Sequence, residues 1–382
     1  MQGQWVVSKF GGSSVKDATA MLRCSNIIEA NPLIKVVVIS ATQNTTNHLE
    51  FIAKAAASKD EVKLKQLVEE LIGRHTQIGM ELFTSPKVME ELNQIGKDLK
   101  TISQNILENG LNPQLMDELY AIGERMSSLL VSDLLRLRIP GKEIVFLDAR
   151  SLIKTNSDYQ KAIPQIDLIA KNAAQLLFPS IDANTIFVTQ GFIGSDLDGH
   201  TTTLGREGSD YSAALIGEAI GASLVQIWTD VPGVASTDPR IVSSAKYIAN
   251  LSYDEATALA SLGAKVLFPT TLLPTKRKNI PVFVGSSINP DLGGTLITAN
   301  QDESFSLKAV SAMKNSEGIL VSFVGVGLTT QSNLQDKILK LMSPVKLRFV
   351  KNDDLFQSFL VEDDSIELNK IIIEAHKVLE QV

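Results

Sequence analysis

Short apolar runs alternate with longer stretches of helical periodicity through the first three quarters of the chain. Trp5-Val6-Val7 reads as a strand leading into a turn of small residues, and a helix is predicted over about 15–30. Val36-Val37-Val38-Ile39 is a continuous apolar run bounded by polar loop, the pattern of a strand buried on both faces. Over 61–138 the pattern is mostly helical. Val62, Leu64, Leu67, Val68, Leu71 and Ile72 recur at helical spacing, and Leu119, Ile122, Met126, Leu129, Leu130 and Leu134 do so again. Strand patterns return at 143–147, 186–189, 224–228 and 282–285, separated by helical patterns over 210–222 and from Ser252 onward. Ser252-Tyr253-Asp254-Glu255 has the spacing of a capping box, in which each end satisfies a backbone donor of the other. Strands separated by helices predict an α/β fold with a mostly parallel sheet covered on both faces.

After Gly293-Gly294-Thr295 the texture changes. Strands are predicted at 305–313, 319–326, 345–351 and 356–361, with helices at 334–342 and 366–379. This is a small α+β unit. The expected domains are therefore 1–300 and 301–382.

Composition narrows the function classes. A chain of 382 residues exceeds one ordinary domain, and 44% apolar with 21% charged residues is ordinary for a globular protein. The 36 Lys+Arg against 43 Asp+Glu give a net charge of −7 with no long basic stripe, so nucleic acid is not an expected partner. The longest apolar runs are strand-sized, so no membrane span is expected. Cys24 is the single cysteine, which excludes a disulfide within the chain, and four histidines without ligand spacing give no metal site. Met1-Gln2-Gly3-Gln4-Trp5 has neither the basic start nor the apolar stretch of a leader, and a cytoplasmic location is expected.

Three polar clusters carry candidate chemistry. Ser8-Lys9-Phe10-Gly11-Gly12-Ser13-Ser14-Val15 follows the first strand and opens the first helix. Paired glycines admit close approach of a ligand, a helix N-terminus offers N–H groups to an anion, and Lys9 can reach phosphate oxygens. A tight strand-to-helix turn with a solvent lysine explains the same residues about equally well. Thr201-Thr202-Thr203-Leu204-Gly205-Arg206-Glu207-Gly208-Ser209-Asp210 again precedes a helix and could bind two anions; the simpler reading is a loop capped by Ser209 or Asp210. Trp228-Thr229-Asp230-Val231-Pro232-Gly233 ends a strand in a sharp turn, at the end where open α/β sheets bind ligands. Gly194 to Thr201 has the spacing of a phosphate-binding P-loop, but His200 stands where lysine is required. Cys24 lies in a helical pattern and reads as a core residue.

Together these pieces resemble the aspartate kinases of the amino-acid kinase superfamily, over about 4–298 and in modified form to the end. The lysine-sensitive, single-function type looks most similar. The resemblance implies a sheet between helices followed by ACT domains, the substrates L-aspartate and MgATP with Mg2+ as cofactor, and a homodimer. It implies that Lys9, Gly11 and Gly12 contact the transferred phosphoryl group and that Asp210 organises the site around Lys9. Glu124 matches the contact to the substrate ammonium and Arg206 the grip on its α-carboxylate. Ser40, Ala41 and Thr46, with Gly208 and Ser209, match the aspartate pocket, and Thr229, Asp230, Arg240 and Lys265 match nucleotide contacts. An aspartate β-carboxylate, with an unperturbed pKa of about 3.9, is already ionised at neutral pH and needs no general base.

Departures from the family pattern are specific. Glycine is usual where Glu207 and Asn44 stand, tyrosine where Ala235 stands, histidine at Phe268 and threonine at Ser13. The Glu207 carboxylate either repels the γ-phosphate or points outward. Only one ACT-like unit fits into 301–382, so the inserted effector-binding ACT unit is expected to be missing, and with it the usual lysine feedback site. Two alternatives are a kinase of a related small amino acid and a kinase-fold amino-acid-binding or regulatory protein. Glu124 with Arg206 disfavours an N-acylated substrate, and Lys9 with Asp210 disfavours a non-catalytic role.

Overall fold

The computed structural model describes residues 4–181, 184–263, 269–300, 305–363 and 365–381. By packing, the chain divides into two units, Met1–Val231 with Gly285–Asp291, and Pro232–Val284 with Leu292–Val382.

In the first unit β1 (Val6–Phe10), β2 (Ile34–Ile39), β3 (Glu143–Leu147) and β4 (Thr185–Gln190) are followed by a hairpin of β5 (Ile193–Ser195) and β6 (Thr201–Thr203), then β7 (Leu224–Thr229). The five longer strands pair parallel in the order β3-β4-β2-β1-β7. Every residue of β1, β2 and β4 is buried, which in β2 gives the unbroken apolar run from Val36 to Ile39 instead of an alternating one. The helices are α1 (Ala18–Ala30), α2 (Thr45–Ala57), α3 (Glu61–Glu81), α4 (Pro86–Asn109), α5 (Pro113–Arg138), α6 (Ala149–Leu152), α7 (Ile166–Leu176) and α8 (Gly208–Ile220).

The second unit begins with β8 (Asn250–Ser252), α9 (Tyr253–Ser261) and α10 (Pro269–Arg277). β9 (Val282–Ser286), whose last two residues belong to the first unit, and β10 (Gly294–Thr298) follow, with β10 parallel to β8. The capping box at α9 is present: Glu255 N–H donates to Ser252 Oγ at 3.1 Å and Ser252 N–H to Glu255 Oε2 at 2.7 Å. β11 (Ser306–Asn315), β12 (Gly318–Val326), α11 (Leu334–Leu341), β13 (Leu347–Asn352), β14 (Phe356–Val361) and α12 (Leu368–Leu379) then form an antiparallel sheet, order β11-β12-β14-β13, consistent with the expected ACT-like unit. Its core packs Val321, Phe323, Ile338, Phe359 and Ile371.

The α/β architecture agrees with the alternating pattern, but local boundaries move. Lys9 lies inside β1, because flanking pairs to β2 and β7 carry the strand through Phe10. The first helix starts at Ala18 instead of near 15, since Gly12–Val15 forms a 3-10 turn and Asp17 caps α1 through Ala20 N–H at 2.7 Å. Val62 is 84% exposed in the first turn of α3, off the stripe made by Leu64, Leu67, Val68 and Leu71.

Candidate active site

β1 lies between β2 and β7, so the chain leaves it toward one side of the sheet and returns on the other. A crevice at the carboxyl ends of the strands is expected where the order reverses in this way. The loops that reach this edge are Gly11-Gly12 after β1, Ser40-Ala41 after β2, Gly191 after β4 and Asp230 after β7. Lys9 stands one residue from the end of β1, opposite Val38 and Ile227. Its Nζ lies 2.5 Å from Asp210 Oδ1, and the two residues are 7% and 3% exposed. Asp210 sits in the first turn of α8, where the helix dipole favours a carboxylate. A buried ion pair of this kind adds little net stability, but removing one partner leaves an uncompensated charge.

The glycines are required by close packing. Gly11 N–H donates to Trp228 O at 3.0 Å, and Gln43 N–H to Gly12 O at 3.0 Å. A Cβ on residue 12 would stand 2.9 Å from Ala41 O, so any side chain there would push the loops after β1 and β2 apart. Ser14 Oγ donates to Trp228 O at 3.3 Å and accepts from Ser287 Oγ at 2.7 Å, which fixes the 3-10 turn that replaces the expected helix start.

On the facing side, Gly208 and Ser209 are buried while Arg206 and Glu207 are exposed. A Cβ on Gly208 would lie 2.5 Å from Phe192 Cδ2. Glu207 holds φ 55° and Asn44 φ 64°, both left-handed. At these two positions the chain departs from the glycine usual in the aspartate-kinase pattern, and the left-handed backbone supplies the reason for that glycine. Partial desolvation and the Asp210 charge raise the Glu207 pKa, opposed by Lys9 and Arg206. Its carboxyl therefore lies in the field of the Lys9–Asp210 pair.

Glu124 is buried in α5, 4% exposed. Desolvation pushes its pKa up to about 8, against stabilisation of the carboxylate by the Ala41 and Glu124 N–H groups. Among the described residues no cation pairs with it. Ser127 Oγ donates to Ser40 O at 2.7 Å, tying the loop after β2 to the same helix. Thr46 is partly buried in the first turn of α2. At the end of β7, Thr229 Oγ1 donates to Asp230 Oδ1 at 3.1 Å and Thr229 O accepts from Ser287 N–H at 2.8 Å. Arg240 belongs to the second unit, forked onto Asp238 by Nε at 2.9 Å and Nη2 at 2.6 Å. Lys265 and Phe268 lie outside the described residues.

The structure thus brings Lys9, Gly11, Gly12, Ser40, Ala41, Thr46, Glu124, Arg206, Gly208, Ser209, Asp210, Thr229 and Asp230 into one unit. Cys24 is core: its buried thiol lies 3.0 Å from Ser14 O, and burial pushes its pKa far above the usual thiol range. Sequence reasoning missed Asp117, fully buried in α5. It accepts from Gln160 N–H at 2.9 Å and from Thr203 N–H and Oγ1 at 2.9 and 2.7 Å, anchoring β6 just before the Gly205–Asp210 loop. Its partners are 43 and 86 residues away, so no local pattern marks it.

A family model described as the amino acid kinase family matches residues 4–286. The lysine-sensitive aspartokinase 3 of Escherichia coli (strain K12) is 41% identical over 317 residues, covering 82% of this chain and 68% of the relative. The chain belongs to the aspartokinases of the amino acid kinase family. The aspartokinase of Chlamydia pneumoniae is 33% identical over 391 aligned positions, covering 98% of this chain and 84% of the relative. The crystal structure of E. coli aspartokinase III in complex with aspartate and ADP (R-state) superposes with a TM-score of 0.88 at 29% identity, covering 98% of this chain and all of that one. The complex with lysine and aspartate (T-state) gives 0.83 at 30% identity, covering 98% of this chain and 99% of that one. As an aspartokinase the chain is a nucleotide-using phosphotransferase, which disfavours a non-catalytic role. No helix among the described residues is long and apolar enough to cross a membrane.

Proposed function

We propose that the crevice transfers the γ-phosphoryl group of ATP to the β-carboxylate of L-aspartate, giving 4-phospho-L-aspartate and ADP. The observation that carries this reading is the buried Lys9–Asp210 pair at 2.5 Å, at the strand end where the sheet order reverses. The acceptor is already an anion, so the barrier lies in bringing it to a polyanion, and catalysis is positioning plus charge neutralisation. Lys9 meets the transferred phosphoryl oxygens, Asp210 holds its ammonium in place, and Gly11 and Gly12, without side chains, admit close approach of the phosphoryl group.

Glu124 takes the substrate ammonium, Arg206 forks onto the α-carboxylate, and Ser40, Ala41, Thr46, Gly208 and Ser209 shape the pocket. The buried Glu124 carboxyl, which pairs with no cation among the described residues, supports this reading, because a buried carboxylate calls for one. Thr229, Asp230, Arg240 and Lys265 are assigned to the nucleotide. Asp210 and Glu207 offer hard oxygen donors beside Lys9, which suits Mg2+ carried on the nucleotide, and that ion would neutralise phosphate charge.

The proposal treats 1–300 as catalytic and 301–382 as a single ACT-like unit in a cytoplasmic homodimer, with the inserted effector unit and its lysine site missing. The closed run of β11 to α12 supports a single such unit. Replacing Lys9 with Met is expected to lower kcat roughly a thousandfold while aspartate still binds, because the lost interaction belongs to the transition state. Turnover of the Lys9→Met enzyme within tenfold of wild type would refute the assignment.

A further inference from the structure

The loop from Ser40 to Thr46 is held by a chain of buried hydrogen bonds that phosphoryl transfer itself does not use. His75 in α3 is fully buried, and its Nδ1 lies 2.9 Å from Leu71 O. A carbonyl only accepts, so Nδ1 carries the proton and Nε2 is left as an acceptor. Burial lowers the ring pKa to about 4, in keeping with a neutral imidazole. Nε2 therefore receives the Thr42 hydroxyl proton at 3.2 Å. Having spent its own proton, Thr42 Oγ1 accepts from Thr45 Oγ1 at 2.6 Å. Thr45 Oγ1 in turn accepts from Arg74 Nη2 at 2.5 Å, and the same nitrogen lies 3.3 Å from Thr42 Oγ1. One carbonyl, Leu71 O, thereby fixes the direction of every donor from Arg74 through Thr45 and Thr42 to His75.

This chain holds the outer side of a loop whose inner side meets the site. Ser127 Oγ donates to Ser40 O, Ala41 N–H stabilises the Glu124 carboxylate, and Gln43 N–H donates to Gly12 O. A shift of Thr42 and Thr45 would move Ala41 against Glu124, on the acceptor side of the crevice. The β7 end carrying Thr229 and Asp230 shares none of these bonds. Satisfied buried networks rigidify what they join, and misplacement by about 1 Å can cost a hundredfold in rate or affinity.

We propose that His75 and Arg74 are positioning residues for the acceptor, acting through Thr42 and Thr45 to set the Ser40–Thr46 loop against Glu124. The proposal rests on the assignment of that loop and of Glu124 to aspartate.

The test compares steady-state constants of wild type, Thr42→Val, Thr42→Ser and Arg74→Met, each first checked for a melting transition. Thr42→Val keeps the shape and deletes the relay. It is expected to raise the aspartate KM at least tenfold, with the ATP KM within twofold of wild type. Thr42→Ser restores the hydroxyl and should return the aspartate KM to within twofold. Arg74→Met, at a partly exposed side chain, reads the same split at smaller amplitude and decides the matter should Thr42→Val not fold. An aspartate KM within twofold of wild type in the folded relay variants overturns the positioning role, as does a parallel rise in both KM values. Wild-type enzyme without aspartate-dependent turnover would overturn the underlying assignment instead.

Discussion

The edge of the parallel sheet around Lys9 and the interior of the antiparallel sheet β11 to β14 are both buried, yet they are built from different materials. In the antiparallel unit Phe359 packs edge-on against Phe323 and Phe349, with ring centroids 6.0 and 5.5 Å apart. Its buried polar side chains are mostly neutral, as in the Ser322–Ser358 hydroxyl pair at 2.8 Å. Around Lys9 the core holds ionisable groups: the Lys9–Asp210 pair, Glu124, which pairs with no cation among the described residues, and Asp117, hydrogen-bonded by Gln160 and Thr203. Burying charge costs several kcal/mol per ion in a folded chain. Left-handed Glu207 and Asn44 add backbone strain at the same edge. One region is organised for cohesion and the other holds unfavourable groups in place, which is how a site differs from a core.

Substitutions in the two regions should therefore move different observables. Glu124→Gln is expected to raise the aspartate KM roughly a hundredfold, the scale of losing one side of a buried charge contact. It should also make the free enzyme more stable at pH 8. The folded pKa of about 8 is raised from 4.5, so the native state holds a proton that the unfolded chain has lost across that window. Stability from this group is fully present below 4.5 and is lost as pH rises through 8. Melting curves from pH 5 to pH 8 should accordingly fall less in Glu124→Gln than in wild type, and an equal fall would break the contrast. Phe359→Ala should do the opposite. It is expected to cost about 3–5 kcal/mol of stability in denaturant titrations while kcat of the folded enzyme stays within twofold of wild type. A large loss of kcat without a loss of stability would mean that the antiparallel unit is no simple core.

How much could be read from the chain follows the same division. The parallel strands were legible because burial on both faces leaves continuous apolar runs, as at Val36 to Ile39. The Lys9 turn and the Thr201–Asp210 loop were legible because glycines, hydroxyls and charges cluster locally. The start of α1 was not, since a 3-10 turn and Asp17 occupy the residues where helical periodicity begins. Asp117, His75 and Thr42 were not legible either, because each acts through a partner brought close only by tertiary packing. The Glu207 and Asn44 departures marked the left-handed positions without showing them; φ explains what the missing glycines meant.

The most direct test is a hydroxylamine-trapping assay with MgATP and L-aspartate, L-glutamate or N-acetyl-L-glutamate in parallel, with an arm containing millimolar lysine. The account predicts hydroxamate from L-aspartate alone, at a rate that lysine leaves unchanged. Hydroxamate from either glutamate compound but not from aspartate would contradict the central claim, and strong inhibition by lysine would contradict the loss of its site.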